Sequence, residues 1–194
     1  MIEAELKVRV HDPEGVMRQL ERRAPGRAEV YQDTYFDTPD GALRGEGREL
    51  RVRTVRGADG TRAVLTYKGT PVDESSGSKP EHETRVDDPD AVHAMLRDLG
   101  YVPSIAFEKH CRNHEFESHG RRMLATLVRV PEVDGTFLEV EALVEEEELS
   151  AALEDVRAVL DDLGFVERDL TTELYTDAVT AVRRLPATER GRRA

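Results

Sequence analysis

The stretch MIEAELKVRV (residues 1–10) alternates apolar and charged side chains after its first residue. Its even positions are apolar, whereas positions 3, 5, 7 and 9 read Glu, Glu, Lys and Arg. Successive side chains of a β-strand point to opposite faces, so the stretch predicts a strand with one apolar and one charged face. The charged face could meet solvent or line an enclosed space, and these two alternatives lead to different folds.

Four further predicted strands carry the same mixed-sign face. They are ELRVRTV (49–55), VLTYKG (64–69), EHETRV (81–86) and TFLEVEALV (136–144). For any one of these strands alone, a wet face with weak cross-strand ion pairs is the simpler interpretation. Five such strands, together with helices that can cover the apolar faces, favour a closed barrel with a polar interior.

The predicted fold class is therefore α+β, an eight-stranded closed antiparallel β-barrel with a charged lumen and helices packed outside. Most predicted strands are joined by hairpins, which makes the sheet antiparallel. Amphipathic patterns predict four helices, at residues 12–23, 88–100, 146–164 and 171–185. We expect one domain over residues 1–185, followed by a disordered basic tail over 186–194.

Composition narrows the classes of partner and compartment. The chain has 40 Asp plus Glu against 28 Lys plus Arg, a formal net charge of -12, which disfavours nucleic acid as a partner. The single cysteine, Cys111, excludes an internal disulfide and fits a reducing compartment. No stretch approaches the roughly 18 apolar residues of a membrane span, and the N-terminus lacks an apolar signal region. A cytoplasmic protein without a membrane partner is the expectation.

Charges of both signs lining one cavity indicate a particular kind of ligand. Burying them is costly unless they pair or bind ions. Carboxylates bind hard divalent cations such as Mg²⁺ or Mn²⁺, and Lys and Arg bind phosphate oxygens. A barrel that encloses both groups therefore predicts a metal–polyphosphate substrate.

Several motifs, in order, resemble those of the CYTH superfamily, the triphosphate tunnel metalloenzymes. Residues 3–7 read Glu-Ala-Glu-Leu-Lys, which resembles the E-x-E-x-K signature that opens the family. YFDTPDGALRGEGRELRVR (35–53) resembles its second motif, and LTYKG (65–69) resembles its Thr-x-Lys strand. EHE (81–83) and GTFLEVE (135–141) resemble its two paired-acid strands. The resemblance covers most of the chain, up to about residue 175.

The resemblance implies a tunnel that binds a triphosphate together with Mg²⁺ or Mn²⁺, and it assigns roles to matching positions. The candidate metal ligands, or holders of metal-bound water, are Glu3, Glu5, Glu81, Glu139 and Glu141. The candidate phosphate-binding residues are Lys7, Arg51, Arg53, Lys68, Lys109 and Arg112. The candidate catalytic residues are Lys7, Arg53 and Glu83. On this interpretation, Arg53→Ala would abolish triphosphate binding and leave the fold intact.

Three departures from the family pattern leave alternatives open. Lys79 stands where an arginine is usual. In FEKHCRNHEF (107–116), Arg112 fits the usual arginine, but either Lys109 or His110 could supply the lysine that faces the tunnel. The usual Leu-Asp before the last acidic strand is missing; Thr126 is placed there, and Asp134 lies close to the following turn.

The leading interpretation of the activity is a class IV adenylate cyclase-like enzyme, which converts ATP to cyclic AMP and pyrophosphate. The alternative is a triphosphatase acting on inorganic triphosphate, thiamine triphosphate or a nucleoside triphosphate. A second alternative is a non-catalytic nucleotide- or polyphosphate-binding protein. Whether the chain forms a homodimer is left open.

A zinc site at the histidines near Cys111 is a weaker possibility, because strand alternation splits them between two faces. The thiol of Cys111 is expected to be packed, since no paired base can be identified for a nucleophile.

Overall fold

The computed structural model describes residues 1–73 and 76–186. Its eight strands are β1 (Ile2–Val10), β2 (Arg27–Asp37), β3 (Glu49–Gly57), β4 (Gly60–Lys68), β5 (Lys79–Val86), β6 (Val102–Ser118), β7 (Arg121–Arg129) and β8 (Thr136–Val144). Its α-helices are α1 (Pro13–Arg23), α2 (Ala42–Gly45), α3 (Pro89–Asp98), α4 (Leu149–Asp162) and α5 (Tyr175–Arg184). From residue 187 onward, the predicted basic tail lies outside the described residues.

The strands form one closed barrel in the order β1-β5-β4-β3-β2-β6-β7-β8, and every neighbouring pair is antiparallel. The predicted fold class is confirmed. Along the pairing of β1 with β8, Glu5 lies opposite Glu141 and Lys7 lies opposite Glu139. Because side chains alternate along each strand, this register places all four on the same face of the sheet.

The largest hydrophobic core lies outside the barrel, between its wall and two helices. Val8 and Val140 point outward, where they meet Leu20 of α1 and Val156 of α4 in one buried cluster. Burial of each such side chain stabilises the fold by about 1.5–3 kcal/mol. The apolar faces are therefore used on the outside, and the charged faces of the strands are left to the interior.

Aspartate side chains cap the first turns of two helices. Asp12 accepts a hydrogen bond from the backbone N–H of Gly15 at the start of α1, and Asp88 does the same for Ala91 at the start of α3. The segment PDGALRGEG (39–47), which is rich in turn-forming Pro, Asp and Gly, contains the single-turn helix α2. No helix in the described part of the chain is long and apolar enough to cross a membrane.

The prediction of a helix from residue 171 is wrong for its first turn. Thr171 instead donates its backbone N–H to the carbonyl of Lys7 (2.9 Å), and Leu170 forms an antiparallel bridge with Val8. These contacts are available because β1 pairs with β5 only at Ile2 and Glu3, which leaves the rest of that edge of β1 free of β5. The C-terminal segment covers the seam of the barrel and starts α5 beside the tunnel.

Candidate active site

The interior of the barrel is a cavity of about 560 Å³. The charged faces of the strands line it, so they do not form the wet outer face that was the simpler alternative for a single strand. All predicted site residues except Arg112 contribute to the lining, which contains Glu3, Glu5, Lys7, Arg51, Arg53, Lys68, Glu81, Glu83, Lys109, Glu139 and Glu141. Their placement together agrees with the prediction, and the role of each residue stays a prediction.

Carboxylates from β1 and β8 form an acidic wall. Oxygens of Glu3, Glu5 and Glu141 lie within 4.8 Å of one another. Burial, with the charges of Glu139 and Glu3, raises the pKa of Glu5 to about 8. Burial and the charges of Glu3 and Glu5 also raise the pKa of Glu141 well above its usual range. Ionising all of these carboxylates would bring like charges together without enough neighbouring cations to offset them, and their oxygen donors fit a hard divalent cation such as Mg²⁺ or Mn²⁺.

Lys68 joins this wall to β5. Its ammonium pairs with Glu3 and with Glu81, the latter at 3.0 Å. Burial alone would lower the pKa of Lys68, but Glu3, Glu5 and Glu81 together raise it well above its usual range. Glu81 is thus tied to Lys68 and lies outside the cluster of three carboxylates. Glu83 is exposed and accepts a hydrogen bond from Thr66 (2.9 Å).

The opposite part of the tunnel is basic and is organised by Asp33, which the sequence did not single out. Arg53 donates two hydrogen bonds to its carboxylate (2.6 and 2.7 Å), and Arg51 and Lys109 approach it at 3.9 and 4.0 Å. Asp33 is 1% exposed, and the three cations hold its pKa well below the usual range although burial alone would raise it. The only sequence feature that points to Asp33 is the alternation in YQDTYFD (31–37), which places it on the same strand face as Tyr31 and Tyr35.

The structure resolves the open choice on β6 and corrects one prediction. Lys109 is 5% exposed and lines the tunnel, whereas His110 points outward and contacts Glu108 (2.7 Å). Arg112 also points outward and pairs with Glu21 of α1. Residues 109 and 112 are separated by an odd number of positions, so they cannot share a strand face. The prediction that Arg112 lines the tunnel as a phosphate-binding residue is wrong.

The contrast between these two cations can be measured. If the tunnel binds a triphosphate, as the resemblance implies, Lys109→Gln should raise the Kd for tripolyphosphate at least tenfold, because it removes a buried cation from the tunnel. Arg112→Gln makes the same kind of change on the outer surface and should leave this Kd within about twofold of wild type. Isothermal titration of both variants checks this, and equal effects would contradict the assignment of faces.

The hydroxyl of Thr126, the residue predicted to stand where the family's acid is missing, faces the tunnel. Thr126 lies opposite Glu139, lines the tunnel, and donates a hydrogen bond to Oδ1 of Asn113 (3.0 Å). Asp134 lies in the turn between β7 and β8. The unusual Lys79 also lines the tunnel and pairs with Glu49 (2.6 Å).

The cysteine and histidines that were considered for zinc binding or nucleophilic chemistry lie in different places in the structure. Cys111 faces the tunnel, whereas His110 is on the outer face and His114 is buried under α1, with its Nδ1 against the carbonyl of Ala24 (2.9 Å). Burial raises the pKa of Cys111 to about 12, so its thiol stays protonated at neutral pH. These placements agree with a packed thiol.

Tyr175, the first residue of α5, is a further tunnel residue that the sequence did not reveal. Its ring centroid lies 4.6 Å from Nζ of Lys7 and 4.3 Å from Nζ of Lys109. The sequence pattern around it is that of an amphipathic helix, and alternation along the barrel strands carries no information about a residue that enters the lumen from outside.

Comparisons with known proteins agree with this architecture. The CYTH domain family model matches residues 1–175. The adenylate cyclase CyaB of Aeromonas hydrophila is 30% identical over 148 residues, covering 74% of this chain and 69% of the relative. A Methanocaldococcus jannaschii protein, provisionally named as an adenylate cyclase, is 25% identical over 182 residues, covering 91% of this chain and 98% of its own.

Solved structures share the fold. The PH1819 protein of Pyrococcus horikoshii superposes with a TM-score of 0.78 at 25% identity, covering 94% of this chain and 99% of its own. The HpAC1 protein of Hippeastrum is described as having a dominant triphosphatase activity. It superposes with a TM-score of 0.64 at 19% identity, covering 96% of this chain and 98% of its own. At that identity, the second likeness shows the fold alone.

Proposed function

This chain belongs to the CYTH domain family, and we propose that it is a divalent-metal-dependent enzyme that hydrolyses a triphosphate inside its tunnel. Members of the family are adenylate cyclase-like enzymes or triphosphatases. The observation that carries the proposal is the arrangement of an acidic wall around Glu5 and a basic wall around Arg53 in one enclosed cavity. Hydrolysis of a phosphate chain needs positioning and charge neutralisation more than covalent chemistry from the protein.

The two walls suggest separate tasks. Glu3, Glu5 and Glu141 would hold Mg²⁺ or Mn²⁺, which neutralises charge on phosphate oxygens when bound. The side chains that would bind the remaining phosphate oxygens are Lys7, Arg51, Arg53 and Lys109. Since Asp33 already orients Arg53, this guanidinium needs little rearrangement when the substrate enters.

In the proposed reaction, the oxygen of a water molecule bonds to the terminal phosphorus while the bond from that phosphorus to the bridging oxygen breaks. The bridging oxygen keeps the electron pair, so pyrophosphate and orthophosphate form from tripolyphosphate, and a proton from the water passes to solvent. The tunnel cations stabilise the charge that spreads over the phosphate oxygens.

The aromatic residues of the tunnel favour hydrolysis over cyclisation. Those in the described lining are Tyr31, Tyr35 and Tyr175. Each already faces a cation: Arg53 lies 4.3 Å from the ring of Tyr31 and Arg51 lies 5.9 Å from that of Tyr35. The two lysines described above contact Tyr175. A nucleobase binds well on a free aromatic face, so this lining is suited to the phosphate chain more than to adenine.

Adenylate cyclase activity is the second candidate, and the names of the Aeromonas hydrophila and Methanocaldococcus jannaschii relatives favour it. In that reaction, the 3′-hydroxyl of ATP would bond to the α-phosphorus and pyrophosphate would leave. The same two walls would hold the triphosphate and the metal.

Product analysis separates the candidates. Purified protein is incubated with tripolyphosphate, thiamine triphosphate or ATP, each with Mg²⁺ or Mn²⁺, and orthophosphate, pyrophosphate and cyclic AMP are quantified. Hydrolysis predicts orthophosphate, with tripolyphosphate the preferred substrate. Cyclic AMP with an equal amount of pyrophosphate would establish the cyclase instead. Tight binding of a triphosphate without any product would contradict both enzymes and favour a binding protein.

A further inference from the structure

Tyr175 reaches the tunnel from a helix outside the barrel. The residues before it are anchored to β1 by the hydrogen bond between Thr171 and the carbonyl of Lys7 and by the bridge between Leu170 and Val8. The side chain is 7% exposed, and its ring packs edge-on against Phe137, with centroids 5.4 Å apart. Its position is therefore set by both backbone pairing and packing.

Two candidate phosphate-binding cations converge on this ring. Nζ of Lys7 and Nζ of Lys109 lie within 4.6 Å of its centroid, and both residues line the cavity. Nζ of Lys7 also donates a hydrogen bond to the carbonyl of Glu173 (2.5 Å). Because aromatic faces attract ammonium groups, Tyr175 holds both cations close to one point of the tunnel.

The hydroxyl of Tyr175 is buried and lies close to the carboxylate of Glu139, but it makes no hydrogen bond of ordinary geometry among residues 1–73 and 76–186. A buried donor whose hydrogen bond is poorly formed is unfavourable, and in a binding cavity such a group points to a better-placed acceptor supplied by a ligand. An anion drawn to Lys7 and Lys109 would bring acceptor oxygens close to this donor.

We propose that Tyr175 is a substrate-binding residue whose hydroxyl donates a hydrogen bond to a phosphate oxygen held by Lys7 and Lys109. This rests on the proposed function, because it assumes that a triphosphate occupies the tunnel. It extends the binding site beyond the barrel strands to α5.

Tyr175→Phe tests the hydroxyl while keeping the ring and its contacts with the lysines. In isothermal titration calorimetry with sodium tripolyphosphate and excess chelator, we expect the Kd of this variant to be about tenfold higher than that of wild type. Its Tm should be equal or higher, because the substitution removes an unsatisfied buried group. Tyr175→Leu should weaken binding further, since the ring that positions both lysines is lost. Tyr101→Phe, the same change in a cluster on the outer side of the barrel, serves as the control and should bind like wild type.

Two outcomes would overturn the inference. A Tyr175→Phe variant that binds tripolyphosphate as tightly as wild type has lost no substrate contact. A Tyr175→Phe variant that loses affinity together with several degrees of Tm has lost packing, which makes Tyr175 a structural residue. The inference fails while the function stands if wild type hydrolyses tripolyphosphate and Tyr175→Phe has an unchanged Kd. The function fails while the inference stands if wild type binds tripolyphosphate in a Tyr175-dependent way but converts no triphosphate.

Discussion

Glu5→Gln should lower metal-dependent triphosphate turnover at least a hundredfold and, at the same time, stabilise the metal-free protein. Turnover falls because the cluster with Glu3 and Glu141 loses one of its anionic oxygen ligands. Stability rises because burial and the charges of Glu139 and Glu3 make Glu5 take up a proton on folding near neutral pH, whereas Gln has nearly the same shape and avoids this cost. From the raised pKa, the gain in the free energy of unfolding near pH 7 should be about 1–3 kcal/mol.

The same substitution should change how stability depends on pH. The folded protein holds a proton on Glu5 up to a pKa of about 8, whereas a glutamate in the unfolded chain titrates near 4.5. The stability contributed by this group is therefore complete below pH 4.5 and is lost as the pH rises through 8. When a chelator keeps the protein free of metal, the free energy of unfolding of wild type should fall between pH 5.5 and pH 8.5. The fall over the same pH range should be smaller for Glu5→Gln.

Thermal and urea unfolding, with and without Mg²⁺, measure both effects. Mg²⁺ should raise the Tm of wild type and have a much smaller effect on Glu5→Gln, because binding to the folded state alone stabilises it. Glu147→Gln makes the same change at an exposed position and should leave Mg²⁺ dependence and turnover unchanged. An unaltered Mg²⁺ titration in Glu5→Gln would remove Glu5 from the proposed metal site.

Asp33→Ala should destabilise the protein by about 3–5 kcal/mol. The substitution leaves Arg51, Arg53 and Lys109 buried around a site that has lost their shared counter-ion.

The contact between Arg53 and Asp33 also changes the expectation for Arg53→Ala. The sequence predicts that this variant keeps its fold. In the structure, however, Arg53 donates two hydrogen bonds to the buried carboxylate of Asp33, and the substitution removes both. We therefore expect a loss of stability in addition to the loss of triphosphate binding.

Urea unfolding measures the loss, and an added anion tests its cause. Tripolyphosphate in chelator should raise the Tm of Asp33→Ala more than that of wild type, because it can replace the missing negative charge. Glu167→Ala breaks an exposed ion pair with Arg157 and should cost less than about 1 kcal/mol. If Asp33→Ala cost no more than this control, Asp33 would not be the organiser of the basic wall.

The acid–base alternation in residues 1–10 left two folds open, and its recurrence in four further strands favoured the barrel, because an apolar outer face needs helices and a charged inner face needs an enclosed ligand. The same alternation placed Glu5 and Glu141 in the lumen, where the structure finds them. It should also have separated Lys109 from Arg112, whose parity excludes a common face. A match in residue type to a family motif carries no information about the strand face on which a side chain lies.

What the linear chain determined is which side chains within each strand share a face, since that follows from a backbone repeat of two residues. What only the tertiary structure decided is which faces meet across the barrel and what enters from outside it. Asp33 gathers three cations from β3 and β6, and Tyr175 comes from a helix on the far side of the wall. Such contacts depend on barrel closure and on the seam that β1 leaves for the C-terminal segment, and they join residues too far apart in sequence for any local pattern to record them.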